Sequence, residues 1–194
     1  LGTGIETALA QIAAEELDVS LRKIKVDMGD TSKTIDQATT SGSRTIERAG
    51  PQVRQAAAAA RKELLRMAVE RLGAPAEKLT VRDGVVSVPG NPSKRISYAQ
   101  LIGGKRFNVS IQAEGRGNDL KLAQDVKAKD PKAYTTVGKA VPRLDLPPKV
   151  TGEAVYVHDM RVPGMLHGRV IRPPTIALRP LASTKARPNK FPGL

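Results

Sequence analysis

The stretch Thr39-Thr-Ser-Gly-Ser-Arg-Thr45 is the part of this chain best equipped to hold an anion. Small hydroxyl residues around a glycine let backbone approach a ligand closely. Ser41, Ser43 and Thr45 add donors and Arg44 adds charge. A shorter candidate, Gly2-Thr3-Gly4, opens a helical pattern, where free backbone N–H groups and the helix dipole favour a phosphate. Its glycine spacing, with no fitting acid further on, departs from the full dinucleotide fingerprint. Each segment also reads as ordinary structure: a tight turn with a cap in one case, a mobile Ser/Thr loop in the other.

Other reactive types are sparse. His158 and His167 could meet across a hairpin, but two histidines without a matched carboxylate make a poor metal site. No nucleophile-elbow pattern sets a serine beside either one. Glu15 and Glu16 are neighbours on a predicted helix and so point apart rather than sharing a proton. The chain thus offers anion-binding loops, no catalytic residue and no metal ligand set.

The elements that must position these loops follow from periodicity. Ile5, Ala8, Leu9, Ile12, Ala13 and Leu17 form a helical apolar stripe, and Thr3 with Glu6 reads as a capping box that starts the helix just after Thr3. Ile24 to Met28 alternates as a strand does. The longest helix is predicted to open at Gly50-Pro51, to run to about Leu72 and to stop at Gly73. Asp83-Gly84 between Leu79–Arg82 and Val85–Val88 signals a tight hairpin, and Ser97 caps a short helix to Ile102. The order of elements is α+β. Residues 112–150 are polar, basic and proline-containing, the character of a linker or a surface-draped segment. Ala154–His158 and Met165–Ile171 read as two strands of a second hairpin, which Pro173-Pro174 ends.

Bulk composition narrows the function classes. Cysteine is absent, which excludes disulfides and protein-bound iron–sulfur clusters in this chain. No apolar run approaches the roughly 20 residues of a membrane-spanning helix. The net charge of +13 is uneven: residues 1–114 carry 17 basic and 13 acidic side chains, residues 115–194 carry 15 and 6. A basic second half suits an acidic protein, a nucleic acid or an anionic cofactor. Nucleic acid fits less well, because the five aromatics (Tyr98, Phe107, Tyr134, Tyr156, Phe191) are too scattered to stack bases. A stand-alone basic binding module is the alternative to an enzyme.

Two groups of motifs resemble the large, molybdenum-binding subunit of the xanthine dehydrogenase/aldehyde oxidase family of molybdenum hydroxylases, in the segment order of the isoquinoline 1-oxidoreductase beta-subunit and nicotinate dehydrogenase type. One is Gly2 to Leu17 with Met28-Gly-Asp30, Thr40-Ser-Gly-Ser43 and Val53–Ala56. The other is Tyr134–Lys139, Pro142-Arg-Leu-Asp145, Lys149-Val-Thr-Gly152 and Tyr156 through Pro174. The resemblance implies a partial molybdopterin-binding domain over residues 1–103, a linker over 104–150 and the start of an a/b hammerhead domain over 151–194. It implies a molybdopterin cofactor with molybdenum, in bacteria commonly the cytosine dinucleotide form. It further implies [2Fe–2S] clusters on a small partner subunit, and hydroxylation of an N-heterocycle or aldehyde with water as oxygen source. Gly2, Thr3, Gly4, Ser41, Gly42, Ser43 and Thr45 become its cofactor-binding residues. Ser43 and Thr45 match hydroxyls that face the cofactor's phosphate end, while Thr3 stands where many relatives carry glutamine. The family's catalytic glutamate lies far toward the C-terminus of a much longer subunit, and no residue here matches it. The expectation is a fragment that needs the rest of the large subunit and is inactive alone. Compartment stays open.

Overall fold

The computed structural model describes residues 3–36, 41–105, 107, 112–115, 121–122 and 126–170. The chain divides into two units, Leu1–Val150 and Thr151–Leu194.

The first unit is built on a helix pair. Helix α1 spans Ile5–Leu17 and its N-cap is Gly4 at φ 72°, with no side chain capping it. The expected Thr3–Glu6 capping box is therefore not formed. With the cap at Gly4, Glu6 sits one position too early to reach back. Helix α2 spans Thr45–Leu72, so it begins six residues before the predicted Pro51. Proline removes the N–H that would bond four residues back and normally opposes an interior position. Packing wins here, because Ala49 and Gly50 are buried and a Cβ on Gly50 would stand 3.4 Å from Ile12 Cδ1. Gly73 ends α2 at φ 59°, as predicted. Ile24–Met28, expected as a strand, follows a short 3-10 turn at Leu21–Lys23 as extended chain with no ladder partner among the described residues.

The predicted hairpin forms. Strands β1 (Thr80–Arg82) and β2 (Val85–Val88) pair antiparallel around Asp83-Gly84, with Val81 opposite Val86. A third strand that sequence reading missed, β3 (Asn91–Ser97), completes the sheet in the order β1-β2-β3. Its Pro92 is tolerated because β3 is an edge. Ser97 and Gln100 form a true capping box on α3, Tyr98–Ile102. The core lies where the C-terminal half of α2 meets this sheet: Leu64, Ala68, Val86 and Leu101 are buried together. A two-residue ladder joins β4 (Ala113–Glu114) to β5 (Lys121–Leu122), and α4 (Pro147–Val150) closes the unit.

In the second unit the expected strands at Ala154–His158 and Met165–Ile171 are not formed over the described residues, which stop at Val170. Val157–Asp159 makes a 3-10 turn instead, with Asp159 Oδ2 accepting from the Tyr156 N–H at 2.9 Å. A lone two-stranded ribbon is marginal without a sheet beneath it. The side chains that would need such a sheet are exposed, Val157 at 87% and Leu166 at 93%. The tail beyond residue 170 lies outside the described residues.

Candidate functional site

The contacts between the first two helices fix their direction. Ile12 lies beside Gly50, Glu16 pairs with Arg54 at 2.8 Å, and Asp18 pairs with Arg61 at 2.8 Å. Both sequences ascend together, so α1 and α2 run parallel and their N-termini share one end of the pair. The two glycine-containing segments singled out by sequence thus flank the same end, where unpaired backbone N–H groups and two positive dipole ends accumulate.

Each N-terminus opens on a left-handed glycine turn. Gly4 takes a left-handed conformation and Thr3 is exposed. Ahead of α2, Gly42 and Ser43 have φ of 61° and 54°, and the Arg44 N–H reaches the Ser41 carbonyl at 3.4 Å, the geometry of a type I′ turn. Residues 41–44 are exposed and Thr45 is half-buried. The Arg44 side chain folds over Gly42, where an added Cβ would lie 3.2 Å from its Nε. Each first turn carries one acid, Glu6 and Glu47, whose charge opposes an anion, while Arg44 and Arg48 favour one.

Behind this end, residues 126–145 lie along α1 and are bonded to it repeatedly. Glu15 is the main anchor, with its side chain only 1% exposed. Its carboxylate accepts the N–H groups of Thr135 (2.9 Å), Thr136 (2.6 Å) and Val137 (3.0 Å), and Lys129 Nζ at 3.0 Å. Burial pushes the Glu15 carboxyl up. The Thr136, Val137, Lys129 and Thr135 hydrogen bonds outweigh it and hold the group below the usual range. Lys129 also reaches Asp18, and Glu16 accepts the Lys129 N–H at 3.0 Å. Arg54 stacks its guanidinium 5.5 Å from the Tyr134 ring centre. Glu15 and Glu16 are both buried and occupied structurally, and both carboxylates reach Lys129. Sequence reading missed this network, because the Lys129 donors lie more than 110 positions away.

An open cavity of about 230 Å³ lies between Ile12, Ile46, Gly50, Pro51, Tyr134 and Val137. Its charged neighbours Glu15, Glu16 and Arg54 are engaged with one another or with backbone, so the surface left for a ligand is apolar. None of the predicted cofactor residues lines it.

Of those residues, Gly4 and the turn Ser41-Gly42-Ser43 with Thr45 come to one end of the helix pair, Thr3 is exposed beside Gly4, and Gly2 lies outside the described residues. His158 and His167 are exposed in the second unit, and the hairpin that was to bring them together is not formed. Among the described residues no group of three or more His, Cys, Asp or Glu could hold a metal ion, and no helix is long and apolar enough to cross a membrane.

The family described as "Molybdopterin cofactor-binding domain" matches residues 1–152. A nicotinate dehydrogenase subunit of Pseudomonas putida is 45% identical over 174 residues, which cover 90% of this chain and 14% of that protein. The beta subunit of isoquinoline 1-oxidoreductase of Brevundimonas diminuta is 28% identical over 222 residues, covering 100% of this chain and 28% of that protein. Among solved structures, quinoline 2-oxidoreductase from Pseudomonas putida 86 is 31% identical over 53% of this chain and 13% of that chain, with a TM-score of 0.45. The chain therefore spans between 14% and 28% of the length of these two curated relatives. A family match over three quarters of the chain, on the segment that carries both glycine turns, makes it a member of the molybdopterin-binding xanthine dehydrogenase family of molybdenum-dependent oxidoreductases.

Proposed function

We propose that this chain is the cofactor-end segment of a molybdenum hydroxylase large subunit. The observation that carries the reading is the parallel α1/α2 pair, which sets the Gly4 turn and the Ser41-Gly42-Ser43 turn at one end inside the matched segment. That end fits an anionic group: glycine at each turn, no Cβ on Gly4 or Gly42, exposed hydroxyls at Ser41 and Ser43, and Arg44 alongside. Gly2, Thr3, Gly4, Ser41, Gly42, Ser43 and Thr45 would hold the phosphate and pterin end of the cofactor through backbone N–H groups and hydroxyls. When bound, the molybdopterin cofactor supplies the oxygen-transfer and redox chemistry of hydroxylation, with water as the oxygen source. The cofactor is proposed to be the cytosine dinucleotide form.

The remaining roles fall outside these residues. The general base, the substrate pocket for an N-heterocycle or aldehyde and the [2Fe–2S] clusters are assigned to the rest of a large subunit and to a small partner subunit. On this reading the chain has no turnover alone. Residues 1–103 act as the cofactor segment and 104–150 as the connection. Residues 151–194 are the leading part of a hammerhead domain, whose strands pair once its sheet is complete. Two relatives are named as subunits, one of nicotinate dehydrogenase and one of isoquinoline 1-oxidoreductase, which supports assembly from several chains.

The test is elemental. The complete polypeptide that carries this chain, purified with its co-expressed partner, is expected to hold close to one molybdenum per large subunit. Replacing Gly42 by Val, which is strained at φ 61°, should lower that content at unchanged expression. A purified wild-type complex without molybdenum would remove the reading.

A further inference from the structure

Gly4 is met by a side chain from 139 residues further along the chain. An ideal Cβ on Gly4 would lie 3.3 Å from Arg143 Nε, 3.4 Å from its Cζ and 3.6 Å from its Cδ, so the guanidinium packs against the Gly4 backbone. The guanidinium is not loose. Nε and Nη2 of Arg143 donate to the two carboxylate oxygens of Asp145 at 3.0 and 2.8 Å, a bidentate fork, and Lys149 meets the same carboxylate. The segment carrying this fork is stapled along α1. The Leu144 N–H donates to Thr7 Oγ1 at 2.9 Å, and Gln11 Nε2 donates to the Thr136 and Lys139 carbonyls, both at 3.0 Å. Thr7 is buried. Gly4, by contrast, has no side-chain cap of its own, and its conformation at φ 72° is one that glycine adopts without preference for it.

We infer that Arg143, locked by Asp145, is a positioning residue: it braces the left-handed Gly4 turn and so presents the Thr3–Gly4 backbone to the cofactor. The inference rests on the proposed cofactor role of this end and adds to it a residue that none of the glycine or hydroxyl motifs includes. Residues 136–145 then serve the site directly, in addition to connecting it to the later part of the chain. A planar guanidinium is required, because an ammonium is a compact point charge with no flat face to lay on Gly4 while it holds Asp145.

The Ala8 amide reports the turn without any cofactor, since its bond to the Gly4 carbonyl at 3.3 Å closes the first turn of α1. In Arg143→Ala and Asp145→Asn variants of the complete polypeptide, hydrogen exchange at Ala8 should accelerate about tenfold while Ala68, at the centre of the core, is unchanged. Molybdenum content should fall about tenfold, the scale on which supporting residues act on bound metals. Arg143→Lys should rescue neither readout. The brace is overturned if Ala8 exchange is unchanged, if Ala8 and Ala68 accelerate together, or if lysine restores both readouts. Faster exchange at Ala8 with full molybdenum content would also sink the positioning role. If the wild type holds no molybdenum, the cofactor reading falls, and the exchange at Ala8 still decides whether Arg143 braces the turn.

Discussion

Glu15 shows how one side chain fixes the geometry behind the site. A carboxylate at 1% exposure is tolerated only when its oxygens are satisfied, and three consecutive N–H groups and an ammonium do that here. Glu15→Ala would leave Lys129 short of a partner and three backbone donors unmet. It is expected to cost about 3–5 kcal/mol, the range for a broken buried pair. The pH dependence has a definite sign. Glu15 titrates below its unfolded value of roughly 4.3, so its contribution is complete above that pH and drains away as pH falls through the lower folded value. For Lys129 burial works downward, but Asp18 and Glu15 hold its pKa above the ordinary one. Its contribution is complete below about pH 10.4 and is lost only as pH rises beyond the folded value. Urea unfolding between pH 7 and 3 should therefore fall less steeply in Glu15→Ala than in the wild type. Parallel pH profiles would count against this account. The motif around Glu15 is legible in sequence only as an amphipathic helix. Nothing local signals that the carboxylate faces inward, because its partners are contributed by residues 129–137.

The elements differ in how far local signals decide them. Asp83-Gly84 and the Ser97 cap read correctly because turn chemistry and capping are satisfied within a few residues. The start of α2 and the fate of Ile24–Met28 were decided by packing and by the lack of a ladder partner, neither of which is visible in a short window. The hairpin also has a tertiary role beyond its own turn. Gly84 donates its N–H to the Asp18 carbonyl at 2.9 Å and accepts the Tyr98 N–H at 2.8 Å, while Asp83 Oδ1 takes the Ser20 N–H at 2.8 Å. The sheet is thereby pinned to the C-terminus of α1, opposite the end that carries Gly4. Two glycines separate backbone strain from crowding. Gly84 and Gly90 have φ of 75° and 79°, but a Cβ on Gly84 would lie 3.2 Å from Val19 Cγ1, whereas Gly90 has open space. Gly90→Ala should cost only the left-handed penalty of about 1–2 kcal/mol. Gly84→Ala should cost clearly more in the same thermal melts. Equal losses would mean that the turn is not docked.

At the scale of the whole chain, apolar exposure is concentrated from Val150 onward. Val150 at 74%, Val155 at 68%, Val157 at 87%, Leu166 at 93% and Val170 at 77% are exposed, while the first unit buries Leu64, Ala68, Val86 and Leu101 in one core. Folding free energy follows buried apolar area at about 25 cal/mol per Å². Among the described residues the buried apolar area therefore lies in Leu1–Val150, and residues 151–170 add little to it. The charge distribution separates in the same way, since the acids that pair with Arg54, Arg61, Lys129 and Arg143 all lie between residues 15 and 145. A polypeptide ending at Val150 keeps every one of those pairs, along with Lys149 on Asp145. It should melt within about 3 °C of the full chain, the shift that roughly 1 kcal/mol produces at this size. It should also bind less of a dye that reports exposed apolar surface, because the later exposed valines and Leu166 are gone. A drop well beyond that shift, measured by circular dichroism under identical conditions, would place stabilising contacts after Val150 and reverse the assignment of the core.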